Sequence, residues 1–315
     1  MRLVGVLAIS LVLIGIALRA SAEPVPRLIT HGRDLGPMDV GPVALGFSGL
    51  ASVEGGVVSD GPMPRYVKHI GSGAVYGGLD VAGPHLLIEK VRIEGALDIS
   101  AKLPVVLFAV EMRAREELPW LVLVRPGAGP LHVVYSDLSV ARQSRAASPH
   151  VGVALALRAD GARVHRSRIG SAADGIQIAA RDISIAETLV DHLLYRPGDH
   201  NDAIQLMDGA ADVEIARARI ANRHLQTSAI TILGERVSVR QSWLAGGGWT
   251  IYGGAKRNGK GGDGARMVEV SGNVFARSFF PKCGSFGPVT YWASNPESGN
   301  VWSGNFSDDG ERIEP

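Results

Sequence analysis

The chain has 315 residues, a formal net charge of +1 and a single cysteine, Cys283. Lys and Arg are spread along the chain, which gives no clustered basic face and argues against a nucleic-acid partner. One cysteine excludes an intramolecular disulfide, so the core must hold the fold.

The chain begins with the layout of a secretory signal peptide, residues 1–22. An apolar run over residues 3–18 is followed by Arg19 and the small residues Ala20–Ala22. A retained membrane anchor is the alternative, but the apolar run is shorter than the about 20 residues that span a bilayer. We therefore expect cleavage before Glu23, a secreted or periplasmic protein, and no membrane span after cleavage.

Residues 23–83 are rich in Gly and Pro and lack the repeat that follows. We expect them to form an irregular N-terminal extension that caps one end of a repetitive domain, because an uncapped end would expose edge strands to aggregation. The repetitive domain is predicted over residues 84–306, with a C-terminal tail over residues 307–315.

A repeat of about 21 to 28 residues runs through the middle of the chain. Each unit has a short apolar strand, a polar turn, an alternating strand such as Asp212–Ala216, and a third apolar pair. The units begin at Gly152, Gly175, Ala203, Ala229 and Thr250. A unit this short cannot bury its own apolar face, so it must stack on its neighbours. Propeller blades are longer, and an antiparallel sandwich would show hairpin signals.

The residues His200-Asn201-Asp202-Ala203-Ile204-Gln205 resemble the H-N-D-G-I-Q rungs of right-handed parallel β-helix proteins of the pectate-lyase-like superfamily. The resemblance is strongest from Val151 to Phe275. It implies an all-β fold and a single-stranded right-handed parallel β-helix, and it favours a protein that acts on a polysaccharide. We expect the protein to be a monomer. Superfamily members that cleave uronate polymers neutralise the sugar carboxylate with a cation or basic side chain, and a Lys, Arg or His removes the C5 proton.

The connection Asp191–Asp202 interrupts the repeat with ionisable and aromatic groups. The register predicts Asp174 beside Asp202 on the neighbouring rung, at a strand spacing of about 4.8 Å. Two carboxylates this close repel each other. Either the pKa of one of them is raised, which suits a catalytic acid, or the pair holds a cation such as Ca²⁺, with Asp199 as a third ligand. The alternative is that both accept backbone hydrogen bonds in turns. His200 beside them is a candidate general acid or base.

Further candidates surround this pair. Gln177 and Gln205 are expected to stack on the outer face, either as substrate-binding groups or as a surface amide ladder. Arg223 is a further catalytic candidate. A second interruption, Gly253–Gly264, is a glycine-rich basic loop without a phosphate-binding motif. The other predicted substrate-binding residues are Tyr195, Arg196, His224, Tyr252, Lys256 and Arg257.

Three functions are compatible with these features. The first is a lyase or hydrolase of an acidic polysaccharide, the second is a non-catalytic polysaccharide-binding protein, and the third is a structural component of the envelope. The enzyme is favoured because a polar cluster interrupts the repeat, and a purely structural coil would not need such an interruption. The fold resemblance alone does not choose the reaction.

Overall fold

The computed structural model describes residues 29–139, 149–254 and 265–315, with the backbone alone described at residues 68–70. The described strands form one sheet of 17 strands and one of 10 strands. Among the described strands, all strand-to-strand pairings are parallel apart from one antiparallel hairpin near the N-terminus, and two isolated bridges are also antiparallel. The predicted all-β fold with long parallel sheets is confirmed, and it is compatible with a β-helix.

The strands fall into three stacks, and three successive strands, one from each stack, make one rung. The first stack contains β7 (Leu118–Val124), β10 (Val151–Leu157), β13 (Asp174–Ile178), β16 (Ile204–Leu206), β19 (Ser228–Ile232), β22 (Trp249–Tyr252) and β25 (Gly287–Thr290). The second contains β3 (Leu79–Glu89), β5 (Val105–Phe108), β8 (Leu131–Val134), β11 (Arg163–His165), β14 (Arg181–Ala186), β17 (Ala211–Ala216), β20 (Glu235–Arg240), β23 (Arg266–Ser271) and β26 (Val301–Ser303).

The third stack contains β6 (Glu111–Arg113), β9 (Asp137–Ser139), β12 (Arg168–Gly170), β15 (Leu189–Asp191), β18 (Arg219–Asn222), β21 (Trp243–Gly246), β24 (Val274–Ala276) and β27 (Phe306–Ser307). Two longer strands, β1 (Ala51–Val58) and β4 (Val91–Ile99), pair with each other along both the first and third stacks. Each strand from β4 to β24 pairs with the strand three positions later. A chain that returns to the same stack every third strand forms a coil.

One apolar core runs the length of the coil. In the first stack, Ile176, Ile204, Ile230 and Ile251 are in register on consecutive rungs, and each is fully buried. Alternate side chains of a strand point to opposite faces, so one half of each strand supplies this core. The other half remains available on the outside of the coil.

A buried polar ladder marks the turn between the second and third stacks. At this turn, one residue has a positive φ, as Glu187 (50°) and Gln241 (50°) do. The next residue is a buried small polar side chain at Ser136, Ser167, Thr188, Ser242, Asn273 and Asn305. Asn273 Oδ1 accepts a hydrogen bond from the Ser242 backbone N–H at 2.9 Å, and its Nδ2 donates to Val239 O at 2.9 Å. These side chains satisfy backbone groups that the sharp turn leaves unpaired.

The N-terminal region lies in two places. Strand β1 and the antiparallel strand β2 (Val67–Tyr76) lie at the first rung, where the buried side chains of Val58 and Tyr66 join the core. Residues 29–45, which include a 3₁₀-helix (Gly32–Asp34) and a short α-helix (Gly41–Ala44), instead run along the outside of the coil.

This outer segment crosses several rungs beside the third stack. The Gly32 N–H donates to Gln241 O at 2.7 Å, and the Gly41 N–H donates to Arg166 O at 3.0 Å. Between them, Leu35 and Val40 pack on Leu189 together with Ile29. The segment therefore covers a side of the coil, whereas the sequence predicted a cap over one end.

The C-terminal residues also pack on the coil. Trp302 Nε1 donates to Ile313 O at 2.7 Å, and Ile313 is buried in the core. A second 3₁₀-helix (Pro296–Ser298) precedes the last rung. Within the described ranges, no helix is both long enough and apolar enough to cross a membrane.

Candidate functional site on the first stack

Asp174 and Asp202 lie on neighbouring rungs, as the repeat predicts. Ile176 pairs with Ile204 in the first stack, and each aspartate stands two residues before its isoleucine. The Asp202 backbone N–H donates to Asp174 Oδ1 at 2.9 Å. The two carboxyl groups are therefore held where the chain enters consecutive strands.

The Asp202 carboxylate is almost completely buried, with 2% of the residue exposed. Its Oδ1 accepts from Ser228 N at 3.0 Å, from Ser228 Oγ at 2.6 Å and from Thr231 Oγ1 at 2.9 Å. Burial raises the pKa of Asp202, and the bonds from Ser228 and Thr231 oppose that rise. Asp202 therefore accepts one backbone hydrogen bond, as the alternative interpretation predicted, and two further hydrogen bonds from side chains.

The charge of Asp174 can change near neutral pH. The pKa of Asp174 is raised from 3.8 to about 7: burial is the largest cause, the bond from the Asp202 N–H opposes the rise, and the negative charges of Asp202 and Asp199 add to it. A carboxyl group with such a pKa can donate or accept a proton under physiological conditions. Only 9% of Asp174 is exposed.

The two glutamines form the predicted ladder, and a residue that the sequence did not single out gives it a direction. Arg158 NH2 donates to Gln177 Oε1, and Gln177 Nε2 donates to Gln205 Oε1 at 2.8 Å. Because a guanidinium can only donate, it requires the oxygen of Gln177 on its own side. The N–H donors of Gln205 are then left at the far end of the ladder.

The same outer column continues over the next two rungs with Thr231 and Tyr252. The Tyr252 ring lies 5.9 Å from the Tyr291 ring. Burial raises the pKa of Tyr252, and the negative charge of Asp202 adds to the effect. Tyr252 is therefore close enough to Asp202 to sense its charge, so the predicted residues Gln205, Asp202 and Tyr252 share one face.

Apart from Asp202 itself, the charged groups of the Asp191–Asp202 connection bond to residues outside the aspartate pair, although Asp199 is close enough for its charge to raise the pKa of Asp174. Asp199 is 3.1 Å from His150 Nε2 and accepts from the Arg196 N–H at 2.6 Å. The Arg196 guanidinium contacts Glu117 at 2.5 Å.

No three His, Cys, Asp or Glu side chains in the described ranges form a group that could hold a metal ion. The predicted ligands Asp174, Asp199 and Asp202 thus do not form such a group.

Tyr195 and His224 meet beside this connection, with stacked rings 5.6 Å apart. His224 Nε2 donates to Leu193 O at 2.8 Å, which fastens two neighbouring loops together. His200 and Arg223 are exposed and have no hydrogen bond or ion pair with another described residue. Their predicted catalytic roles thus have no supporting contact.

Lys256 and Arg257 lie outside the described residues. The predicted approach of the basic loop to this face therefore stays a prediction.

Sequence reasoning missed five residues that build the site: Arg158, Asn201, Asn222, Ser228 and Thr231, the last of which donates to Asp202 Oδ1. Asn201 Nδ2 donates to Ala173 O at 3.0 Å, and Asn222 Nδ2 donates to Ser228 O at 3.0 Å, so buried amides fix the loops that enter the strands. Ser228 could have been found, because it precedes Ala229-Ile230 as Asp202 precedes Ala203-Ile204. Arg158 follows its strand with no motif, and only the fold reveals its contact.

Comparison with protein-family models, with curated proteins and with solved structures found no match for this chain.

Proposed function

We propose that the chain is an exported, carbohydrate-active parallel β-helix that binds and cleaves an acidic polysaccharide along the outer face of the first stack. We also propose that the coil is single-stranded and right-handed and that the chain belongs to the pectate-lyase-like superfamily. Parallel strands joined by crossovers take the right-handed course in about 98% of cases. The H-N-D-A-I-Q unit at His200–Gln205 supports the superfamily.

The observation that carries the proposal is the pair Asp174 and Asp202 at one edge of a polar face. Cleavage of a glycosidic bond, by hydrolysis or by elimination, needs a group that gives a proton to the leaving oxygen. Asp174, whose pKa is raised to about 7 by burial, can hold that proton at neutral pH. The neighbouring Asp202 is held in place by Ser228 and Thr231, so the pair is already organised.

The glutamine ladder supports an acidic substrate. Arg158 fixes both amides so that the N–H donors of Gln205 stand at the end of the ladder away from Arg158. Donors suit the carboxylate and hydroxyl oxygens of a uronate polymer. Arg158 adds a positive charge at the other end of the ladder.

The test is a depolymerisation screen of the mature protein against acidic and neutral polysaccharides, with and without Ca²⁺. Unsaturated products, followed by ultraviolet absorbance, identify a lyase, whereas new reducing ends without unsaturation identify a hydrolase. Asp174→Asn should abolish either signal. Asp208→Asn, which removes a carboxylate from an exposed turn, is the matched control and should retain activity. Activity that survives Asp174→Asn refutes the role of Asp174.

A second candidate function is a non-catalytic polysaccharide-binding coil. It is favoured by the three hydrogen bonds to Asp202 Oδ1, which occupy that oxygen within the fold. This function predicts binding without turnover across the whole panel, and binding that Asp174→Asn leaves unchanged.

A further inference from the structure

Large apolar side chains are exposed around one glycine turn, Gly246–Gly248. Leu225 is 64% exposed, Phe286 is 61% exposed and Phe279 is 38% exposed. A Cβ at position 246 would lie 3.0 Å from the Phe279 ring, and one at position 248 would lie 3.4 Å from the Phe286 ring. Both rings therefore border the same turn. Exposed apolar groups that cluster in this way commonly mark a binding site.

The backbone around these rings is tightly held. The Phe286 N–H donates to Gly248 O at 2.7 Å, and the Ser285 N–H donates to Gly247 O at 2.9 Å. Gly246 has φ 85°, and a Cβ there would lie 1.8 Å from Asn222 O. A side chain at this position is excluded, so the turn is built for close approach of two backbones. The aromatic groups thus stand on a rigid base.

Trp249 joins this cluster to the aspartate pair. Its ring centroid is 6.1 Å from that of Phe286, and the ring packs against Gly287, where a Cβ would lie 2.5 Å away. Trp249 also pairs in register with Ser228, whose N–H and hydroxyl both bond Asp202. The aromatic cluster therefore begins one rung beyond the residues that hold Asp202.

We propose that Trp249, Phe279 and Phe286 form a second subsite, which takes the apolar face of a pyranose ring in the same saccharide chain that contacts Asp174 and Asp202. This inference rests on the proposed function. A pyranose ring offers one face of C–H groups, which pack on aromatic rings while the hydroxyl groups remain hydrated. The chain would then run along the coil axis, from the carboxyl groups towards the aromatic rings.

The small size of the cluster favours a sugar over a protein partner. It contains four large side chains, Leu225, Trp249, Phe279 and Phe286, whereas a stable protein interface uses roughly 20–30 residues on each side. The cluster is also continuous with a column of hydroxyl and amide groups, including Thr231 and Gln205. A partner that needs apolar stacking at one end and polar contacts at the other is a saccharide chain.

The test measures binding of oligogalacturonates, and in parallel of cello-oligosaccharides, from the dimer to the octamer, by titration calorimetry. Asp202 and Trp249 lie two rungs apart, about 10 Å at a strand spacing of about 4.8 Å, so a longer oligomer can contact the aspartates and the aromatic rings at the same time. Phe286→Ala should weaken octamer binding by up to about tenfold and leave dimer binding unchanged. Phe306→Ala removes a ring that is 43% exposed on the third stack and should change neither.

Each other outcome has a distinct meaning. Octamer binding that Phe286→Ala leaves unchanged, or equal loss for dimer and octamer, overturns the subsite while the proposed function stands. Failure of the wild-type protein to bind either series refutes the proposed function and the subsite together. A wild-type dimer in sedimentation that Phe286→Ala converts to a monomer would instead assign these rings to contact between two copies of the chain.

Discussion

Replacement of Asp174 by Asn should change how the stability of the protein depends on pH. The pKa of Asp174 is about 7 in the folded chain, against an ordinary value of 3.8, because the carboxyl group is buried beside Asp202. The folded chain therefore binds this proton more tightly than the unfolded chain does. The stability that this proton contributes is complete below about pH 4 and is lost as the pH rises to about 7.

The magnitude follows from the shift. One pKa unit corresponds to about 1.36 kcal/mol, so a shift of roughly three units costs the wild type about 4 kcal/mol between acid and neutral pH. Asp174→Asn removes the titration and keeps a carbonyl oxygen that can accept from the Asp202 N–H. Its free energy of unfolding should therefore gain on that of the wild type by up to about 4 kcal/mol as the pH rises from about 4 to about 8.

Urea unfolding of both proteins at intervals across this range measures the difference. Asp208→Asn controls for the loss of one carboxylate from an exposed turn. If the difference between Asp174→Asn and the wild type stays constant across the range, Asp174 is not held protonated by its surroundings. The proposed acid role would then lose its physical basis.

Three further changes probe the ladder, the outer segment and the internal turn. Arg158→Met should weaken binding of acidic oligosaccharides severalfold in calorimetry, whereas Arg158→Lys, which still donates to the ladder, should retain it. Gly32→Ala places a Cβ 2.1 Å from a backbone carbonyl and should cost about 1–3 kcal/mol in urea unfolding, whereas Gly49→Ala, with open space around its Cβ, should cost far less. Asn273→Ala leaves buried backbone groups unpaired at the turn between the second and third stacks and should lower the free energy of unfolding by about 1–3 kcal/mol. Asn295→Ala, on the surface, should be nearly neutral. Equal losses of stability in the two variants would refute the role of the buried polar ladder.

Several parts of the fold and the site follow from short-range pattern. Alternation along a strand decides which side chains enter the core, and the repeat unit decides which residues meet on neighbouring rungs. For this reason the pairing of Gln177 with Gln205 and the neighbourhood of Asp174 and Asp202 could be predicted. The turn serines and asparagines carry a weaker signal, because their role appears only once the rungs are aligned.

The sequence by itself determined the coil of short parallel strands and the polar column on its first stack, because both depend on contacts between consecutive repeats. The tertiary structure decided the contacts between segments that do not follow the repeat. It places residues 29–45 along the third stack, seats Asp199 on His150, sets Arg158 at the end of the amide ladder, and gathers Phe279 and Phe286 around a glycine turn. These contacts join loops that differ in length from one rung to the next, so their partners are chosen by the path of the chain in space.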